Sequence, residues 1–580
     1  MLPVGGPRAR FDDWGQGGRS FALVDPVAVL CAMSLGEVAS VLIDAQAAAR
    51  AGHWVAGYVA YEAAPAFDAA LCVREQDDAT LPLALFTVYR TRVPAPPLPT
   101  GGNVDCATHW EPQTSPAAHA AHVDRIRTLI EAGRVYQVNL TTHLVGRVHD
   151  PCGLYARMLA AQRCRYGALL TTDTHAVVCV SPELFFEAHD DEIVTRPMKG
   201  TSRRGRWPGE DAEAATALRA SAKERAENVM IVDLLRNDLG RISTTGSVEV
   251  TRLLEVEPYP TVWQMTSTIR SRLPAATSLL DVFAALFPSG SVTGAPKVAA
   301  MTAIARLEQH PRGVYCGAIG FLEPGPTLRA RFAVAIRTAV VDQVSGAATY
   351  GAGGGITWSS DAASEWKELI DKTAVLDRSA LGTGLIETMR RLPDGSIRNL
   401  ARHLARLRRS ATALSIPLDE DELSAALGGA SSSGRVRLRV SPAGSVDAQF
   451  EPMPAPPSGP VRLGLMPGSV SSQDRTLFHK FADRARYEHW RNQRPDVDDV
   501  ILINERGEAT ETTIANLVVG VDGRWWTPAL AAGLLPGIER ERLLEAGVLA
   551  ERPIPVPLLR GASLAVISSL RGWRCAVLVD

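Results

Sequence analysis

Lysine is scarce in this chain: six lysines stand among 61 lysine and arginine residues. Plain positive charge is therefore carried almost everywhere by arginine. High alanine, glycine and arginine fits a GC-rich coding sequence, which accounts for the surface but not for the lysines that are kept. Cysteine is thin as well, with eight scattered residues and no CxxC pair. That excludes a zinc framework of paired cysteines and fits a reducing cytoplasm better than a disulfide scaffold. No run of about 18 uncharged apolar residues is present to cross a bilayer, and Met1 to Phe21 lacks the apolar core of a signal peptide. The net charge is −2 without a basic block, so neither nucleic acid nor an anionic membrane is an expected partner. What is present is ordinary globular composition, 46% hydrophobic and 21% charged over 580 residues, long enough for about two to four domains.

One retained lysine sits in Thr195-Arg196-Pro197-Met198-Lys199-Gly200-Thr201. Arginine keeps its proton in a protein, whereas a buried lysine loses it and becomes a nucleophile or Schiff-base former. A solvated turn is the plainer reading of Lys199, and the stretch alone leaves both open.

Gly57 to Glu62 alternates like a strand, and Pro94 to Gly102 is too proline-rich for helix or central strand. Val123, Ile126 and Ile130 give a helix over His119 to Gly133. Tyr136 to Leu140 reads as a strand in which Gln137 is a polar edge residue or something more specific. Val177 to Phe186 is strand-like, with Glu183 a candidate for a raised pKa and hence for acid catalysis. Ser221 to Leu239 is a helix with Val229, Val232, Leu235 and Leu239 on one stripe, and Glu227 beside it. Pro288 to Lys297 fails the phosphate-loop spacing and Gly351 to Gly355 fails the dinucleotide spacing. The second glycine run suits backbone closely approaching a small anion. In the helix opening at Ser364, Glu365, Glu368 and Lys372 stand at i, i+3 and i+7 on one face. The two carboxylates, with a third such as Glu227, would make a hard-oxygen site suited to Mg²⁺, or else the face is a salt-bridged surface.

The character changes around Asp377 to Thr383. Gly384 to Arg390 is a strand, Pro393-Asp394-Gly395 a turn, and Ala401 to Leu414 a basic helix. After a proline-rich stretch, Pro452 to Pro460, comes Phe478-His479-Lys480, which holds the last of the six lysines. Asn504 to Gly507 is a turn, and Gly537-Ile538 opens a helix whose start suits phosphate.

Several long motifs in order make residues 1–376 resemble component I of aminodeoxychorismate synthase, among the chorismate-utilising enzymes. They are Tyr136 to Leu140, Ser181 to Phe185, Arg196 to Thr201, Glu227 to Asp238, Tyr315-Cys316-Gly317, Ile336-Arg337-Thr338 and Gly351 to Lys372. Within that group, anthranilate synthases carry Ala in place of Lys199. Isochorismate and salicylate synthases carry Lys at the Gln137 position and Ala at the Lys199 position. Gln137 with Lys199 matches the aminodeoxychorismate enzymes. The resemblance implies that Lys199 attacks chorismate as a ring hydroxyl leaves, that ammonia then displaces the enzyme amine, and that Glu183 is the general acid/base. It also implies Mg²⁺ at Glu227 and Glu368 with Glu365 close by, substrate carboxylates on Tyr315, Arg337, Lys372 and the backbone of Gly351 and Gly353, and Thr293 near the ring. Chorismate is a dianion losing a hydroxyl, so cations and an acid are what its chemistry needs. Many relatives carry a His where this chain runs Pro260-Thr261-Val262-Trp263-Gln264.

Residues 379–580 resemble class IV pyridoxal-phosphate enzymes, specifically aminodeoxychorismate lyase. The resemblance rests on His403 to Leu407, His479-Lys480 with Arg484 and Tyr487, Glu511 with Asn516, Leu535 to Ile538, and Ser569 to Gly572. It implies that Lys480 holds pyridoxal 5'-phosphate and moves protons, and that Glu511 pairs with the pyridine nitrogen. Arg406, Gly537, Ile538, Ser568 and Ser569 would bind the phosphate. Ser568 stands where the family has Asn, and Glu539 where it has Thr. The expected architecture is α+β: packed antiparallel sheets with outer helices, followed by a two-lobed class IV domain expected to dimerise. The expected function is cytoplasmic 4-aminobenzoate synthesis from chorismate. No Gly-x-Cys-x-Gly turn is present, so a separate glutamine amidotransferase subunit is expected to supply ammonia. The alternatives are fusion to a class IV aminotransferase or to an inactive dimerisation module.

Overall fold

The structure is a computed structural model that describes residues 8–15, 18–75, 81–98, 109–260, 262–376, 384–414, 416–428, 433–442, 444–455 and 459–579. The chain groups into two units, Met1–Ser202 with Ala215–Ser379, and Arg203–Ala214 with Ala380–Asp580. The change of character at 377–383, and residues 99–102 and 456–458 of the two proline-rich stretches, lie outside the described residues.

In the first unit eighteen described strands join in one network, antiparallel wherever the register is defined. Arg8–Asp12 is paired on both sides, with Phe21–Ala32 and with Tyr166–Thr171, and so links two arms of the sheet. Residues from both arms, among them Phe11, Phe21, Tyr58, Leu170, Val177 and Phe321, share one core. Phe321 meets Phe11 and Phe21 edge-on at 4.8 and 5.1 Å, the geometry aromatic quadrupoles favour. Helices close two further cores. Leu35–Arg50, Ala222–Gly240 and Leu279–Leu286 cover one around Leu42, Ile231, Phe283 and Phe332. Pro151–Gln162 and Ala362–Thr373 cover another around Leu154, Met158 and Leu369. This is the α+β arrangement of antiparallel sheet with outer helices.

Local signals set most element ends. The expected helix runs over Pro116–Glu131, with the Ser115 side chain accepting from Ala118 N–H and proline in its first turn. Three expectations are corrected. Trp54–Val59 is a strand, but Tyr61–Ala66 is a 3₁₀ turn; the strand is buried on both faces, so its alternation carried no information. Val177 to Phe186 divides into His175–Ser181 and Leu184–His189, because Pro182 cannot donate to a ladder. Val229 is 38% exposed, and the buried stripe of its helix is Asn228, Ile231, Val232, Leu235 and Leu239.

In the second unit Leu385–Arg391, Gly434–Val440 and Val446–Glu451 form an antiparallel sheet, packed with Leu400–Ala413 around Met389, Leu407 and Leu438. Eight further strands make a mixed sheet. Val461–Leu465 lies parallel to both Asp499–Ile503 and Gly572–Leu578. Ala509–Thr512 turns back onto Asn516–Val521, placing Glu511 opposite Asn516.

Candidate active sites

The strand Gln137–Arg147 pairs along its length with Ala347–Ile356, Val138 opposite Ile356 and Arg147 opposite Ala347. The glycines of the second strand let side chains of other elements lie against it. A Cβ on Gly351 would sit 2.2 Å from the Tyr315 ring, and one on Gly355 would sit 2.2 Å from Gln137 Nε2 and 2.6 Å from Lys199 Nζ. The Gln137 amide and the Lys199 amine therefore converge over one glycine. Gln137 is not at an edge: it is buried, and neither amide atom has a hydrogen-bond partner.

Lys199 lies on Met198–Arg203. Its carbonyl accepts from Asn228 Nδ2 at 3.1 Å, and Asn228 Oδ1 accepts from Ser267 Oγ at 2.6 Å, which pins the lysine strand to helix Ala222–Gly240. Burial lowers the Lys199 pKa below its usual value; Glu227 opposes this, Lys372 adds to it, and Glu183 and Glu368 oppose it further. Arg337 donates to the Lys372 carbonyl.

A cavity of about 160 Å³ opens here. Of the residues anticipated from the sequence, Glu183, Lys199, Glu227, Tyr315, Arg337, Gly351, Gly353, Glu365, Glu368 and Lys372 line it. Gln137 and Thr293 are not on its wall; the Thr293 hydroxyl is turned to the Ser289 carbonyl at 3.1 Å. Glu183, in the break between two strands, is buried, and burial raises its pKa to about 7 against the opposing effects of Ser291 and Lys199. A carboxyl of that acidity is poised to give or take a proton near neutrality.

In the second unit a cavity of about 720 Å³ holds Arg406, Lys480, Glu511, Gly537, Ile538, Ser568 and Ser569 on its wall. Burial, then Arg484 and Arg406, bring the Lys480 pKa down to about 7. Burial lifts Glu511 to about 8, while Asn516 Nδ2 donates to its Oε2 at 3.2 Å and to the Leu535 carbonyl at 2.9 Å. Arg406 is anchored by Glu387 through Nε at 2.9 Å and Nη2 at 2.7 Å, and by the Pro536 carbonyl at 3.0 Å. His403 bridges Glu387 Oε2 at 2.7 Å and Ser569 Oγ at 2.8 Å. Glu539 is occupied by Arg542 at 2.8 Å and Arg398 at 3.3 Å.

Residues 32–378, more than half of the chain, match the family model for chorismate binding enzymes. The chain belongs to that family. Residues 384–577 match the model for class IV amino-transferases. Aminodeoxychorismate synthase component 1 of Escherichia coli K12 is 38% identical over 45% of this chain and 57% of its own length. Anthranilate synthase component 1 of Streptomyces coelicolor is 38% identical over 52% of this chain and 60% of its own length. The chain thus spans about six-tenths of the length of these two relatives. Anthranilate synthase component I from Streptococcus pneumoniae TIGR4 superposes with a TM-score of 0.52 at 25% identity, covering 65% of this chain and 94% of that one.

The first cavity carries more carboxylates than the sequence suggested, for Glu224 joins Glu227, Glu365 and Glu368 on the wall. Burial and neighbouring carboxylates raise the pKa of both Glu224 and Glu365. Among the described residues no three His, Cys, Asp or Glu side chains converge closely enough to hold a metal as they stand, yet this donor set of mutually repelling oxygens is one that a hard divalent cation would relieve. The half-buried Lys480 and the buried Glu511, with no ion pair joining them among the described residues, likewise fit an aldehyde cofactor with a basic ring nitrogen. Ser291, Glu224 and Glu387 were missed by sequence reasoning. The spacing of Glu224 from Glu227, one helical turn, was the signal available for Glu224. Nothing local marks the other two.

Proposed function

We propose that the first unit aminates chorismate to 4-amino-4-deoxychorismate and that the second eliminates pyruvate from it to give 4-aminobenzoate. The observation that carries this reading is the convergence of Lys199 Nζ and the Gln137 amide over Gly355. Overall identity does not separate the candidates, since both named relatives stand at 38%. The Gln137 and Lys199 pair does, because anthranilate synthases carry Ala at the second position.

Lys199, its amine favoured in the neutral form by burial, attacks the ring with its nitrogen lone pair. The ring C–O bond breaks, and Glu183 delivers a proton to the departing oxygen, releasing water. Ammonia then forms the new C–N bond while the bond to Nζ breaks and returns its electron pair to the lysine. Lys372, Arg337, Tyr315 and the Gly351 and Gly353 backbone hold the substrate carboxylates, with Thr293 shaping the ring pocket through its loop. Glu227 and Glu368 would hold Mg²⁺ with Glu365 close by, and the ion would supply positive charge for a carboxylate and template its position. Ammonia comes from a separate glutamine amidotransferase subunit.

In the second unit pyridoxal 5'-phosphate would supply an electron sink. Lys480 would hold it and, near neutrality, take and return protons at Nζ. Glu511 would face the ring nitrogen, and Arg406, Gly537, Ile538, Ser568 and Ser569 would hold the phosphate. The working form is a cytoplasmic homodimer built through this unit.

The test is incubation of the purified chain with chorismate, ammonium, Mg²⁺ and pyridoxal phosphate. Equal amounts of 4-aminobenzoate and pyruvate are expected. Anthranilate as the product would overturn the first assignment, and accumulation of aminodeoxychorismate the second.

A further inference from the structure

The three-stranded sheet of the second unit has two unlike faces. Val436, Leu438 and Val440 of its middle strand point into the core around Met389 and Leu407. Arg435, Arg437 and Arg439 alternate with them and so share the other face, where all three line the cavity that holds Lys480. Cations in a row along one wall of a cleft concentrate positive potential there. Arg435 is answered by Glu451, which faces it across the register and accepts its hydrogen bond. Arg437 stands between Thr388 and Gln449, and Arg439 between Ile386 and Asp447. Their charge reaches Glu451, which Arg435 already occupies. Among the described residues neither Arg437, half-buried, nor Arg439, exposed, makes an ion pair or a side-chain hydrogen bond.

The sheet also fixes where these two cations stand relative to the lysine. The Ile386 N–H donates to the Lys480 carbonyl at 2.9 Å, and Leu385 bridges Phe481, so Lys480 flanks Leu385–Arg391 on one side. Arg439 is paired with Ile386 on the other. Lys480, Ile386 and Arg439 thus form one row across the sheet, all on the cavity wall. At about 4.8 Å per step, Arg439 starts about 10 Å from the lysine backbone, with Arg437 further along the same strand.

We propose that Arg437 and Arg439 bind the substrate carboxylates of the second site and set its specificity, selecting an amine whose two carboxylates lie remote from its nitrogen. This rests on the elimination reading above. In an ordinary α-amino acid the carboxylate is one carbon from the amine that meets the cofactor. In aminodeoxychorismate the amine is on the ring, one carboxylate lies across the ring, and the other is on the side chain that leaves as pyruvate. Two guanidiniums without ion pairs, set back from the lysine, match that charge pattern, and each can hold a carboxylate through two N–H donors. A substrate with a single carboxylate beside its amine leaves both unanswered.

The experiment measures elimination from supplied aminodeoxychorismate by the full chain, as wild type, Arg437→Gln, Arg439→Gln, the double variant, Arg437→Lys and Arg408→Gln. Each single Gln variant at 437 or 439 is expected to raise KM about tenfold, the scale of a hydrogen bond to a charged group, with kcat changed less than about threefold. Arg437→Lys should recover part of the loss, since lysine keeps the charge but not the paired donors. Arg408, exposed and paired with Glu420, controls for lost net charge, and its variant should keep the wild-type KM. Isophthalate and benzoate serve as non-reacting probes with two ring carboxylates and one. Isophthalate should inhibit wild type at least about tenfold more tightly than benzoate does, and the double variant should lose that preference. The cofactor absorbance band and sedimentation report cofactor loading and oligomeric state. Unchanged KM in both single Gln variants overturns the proposal, as does a loss of activity that merely follows the absorbance band or the oligomeric state. Failure of the elimination reading looks different: wild type releases no pyruvate from aminodeoxychorismate. Calorimetric titration of isophthalate into wild type and the double variant then still decides the role of the arginines, equal binding counting against it.

Discussion

Lys372 Nζ stands 2.8 Å from Glu368 Oε1 and 2.8 Å from the Gly353 carbonyl oxygen. One ammonium thus joins helix Ala362–Thr373 to the glycine strand, and its charge is the main cause of the lowered Glu368 pKa. A carboxylate kept ionised beside three others on the wall is ready for a divalent cation. Glu368→Gln removes that charge, so amination of chorismate should fall by at least about a hundredfold, the scale of a lost metal ligand or its support. Elimination from supplied aminodeoxychorismate should stay at the wild-type rate, since Glu368 lies in the first unit. Assaying the two activities separately checks this; equal loss of both would point to folding instead.

Lys199→Ala deletes the nucleophile while leaving the carboxylates and cations around it. A free lysine, pKa about 10.4, is neutral in less than roughly one molecule in a thousand at pH 7, and the burial of Lys199 is what improves on that. The variant should lose most 4-aminobenzoate formation and direct ammonia to the neighbouring ring position, giving aminodeoxyisochorismate or anthranilate. Intact-protein mass spectrometry of wild type with chorismate and no ammonia should show an adduct mapping to Lys199. An adduct elsewhere sinks the covalent role.

Gly355→Ala tests the same convergence without touching a reacting group. Its Cβ would lie 2.2 Å from Gln137 Nε2 and 2.6 Å from Lys199 Nζ, closer than real contacts allow, so both groups must move. Displacement by about an ångström from a reacting centre costs on the order of a hundredfold in rate. Amination kcat should drop by about that factor with second-unit activity unchanged.

Lys480→Ala should leave chorismate consumption intact and let aminodeoxychorismate accumulate. The long-wavelength absorbance that pyridoxal phosphate acquires on the wild-type chain should be missing from the variant. Normal 4-aminobenzoate output without added lyase would rule out the second assignment.

Glu387 offers a pH test of stability. Burial alone would raise its pKa, but Arg406 and His403 outweigh it and bring the value to about 2 from an ordinary 4.5. Because the folded value is the lower one, the stabilisation is fully present above pH about 4.5 and is lost as pH falls toward about 2. Melting of the wild type should therefore steepen in its pH dependence below about 4.5, and Glu387→Gln should flatten that window. Glu387→Ala leaves Arg406 buried without its partner, a change that costs about 3–5 kcal/mol in comparable pairs. Thermal melts at pH 7 and pH 4 compare the three proteins.

Sequence and tertiary structure divide the rest between them. Glu365, Glu368 and Lys372 could be placed on one face from their spacing alone, because a helix repeats every 3.6 residues and the pattern lies within three turns. The Ser221 helix start was legible for the same reason, being a contact between residues three apart, whereas the helix expected from His119 begins at Pro116 behind a Ser115 cap. Gln137 was not legible. Whether it lay at an edge or was buried depended on Ala347–Ile356, more than two hundred residues on, settling against its strand with Gly355 beneath Lys199. The motifs named the lysines, but only the folded chain decided their chemistry. A pKa is set by what displaces water around a group, and at Lys199, Glu183 and Lys480 that is done by elements distant in the chain.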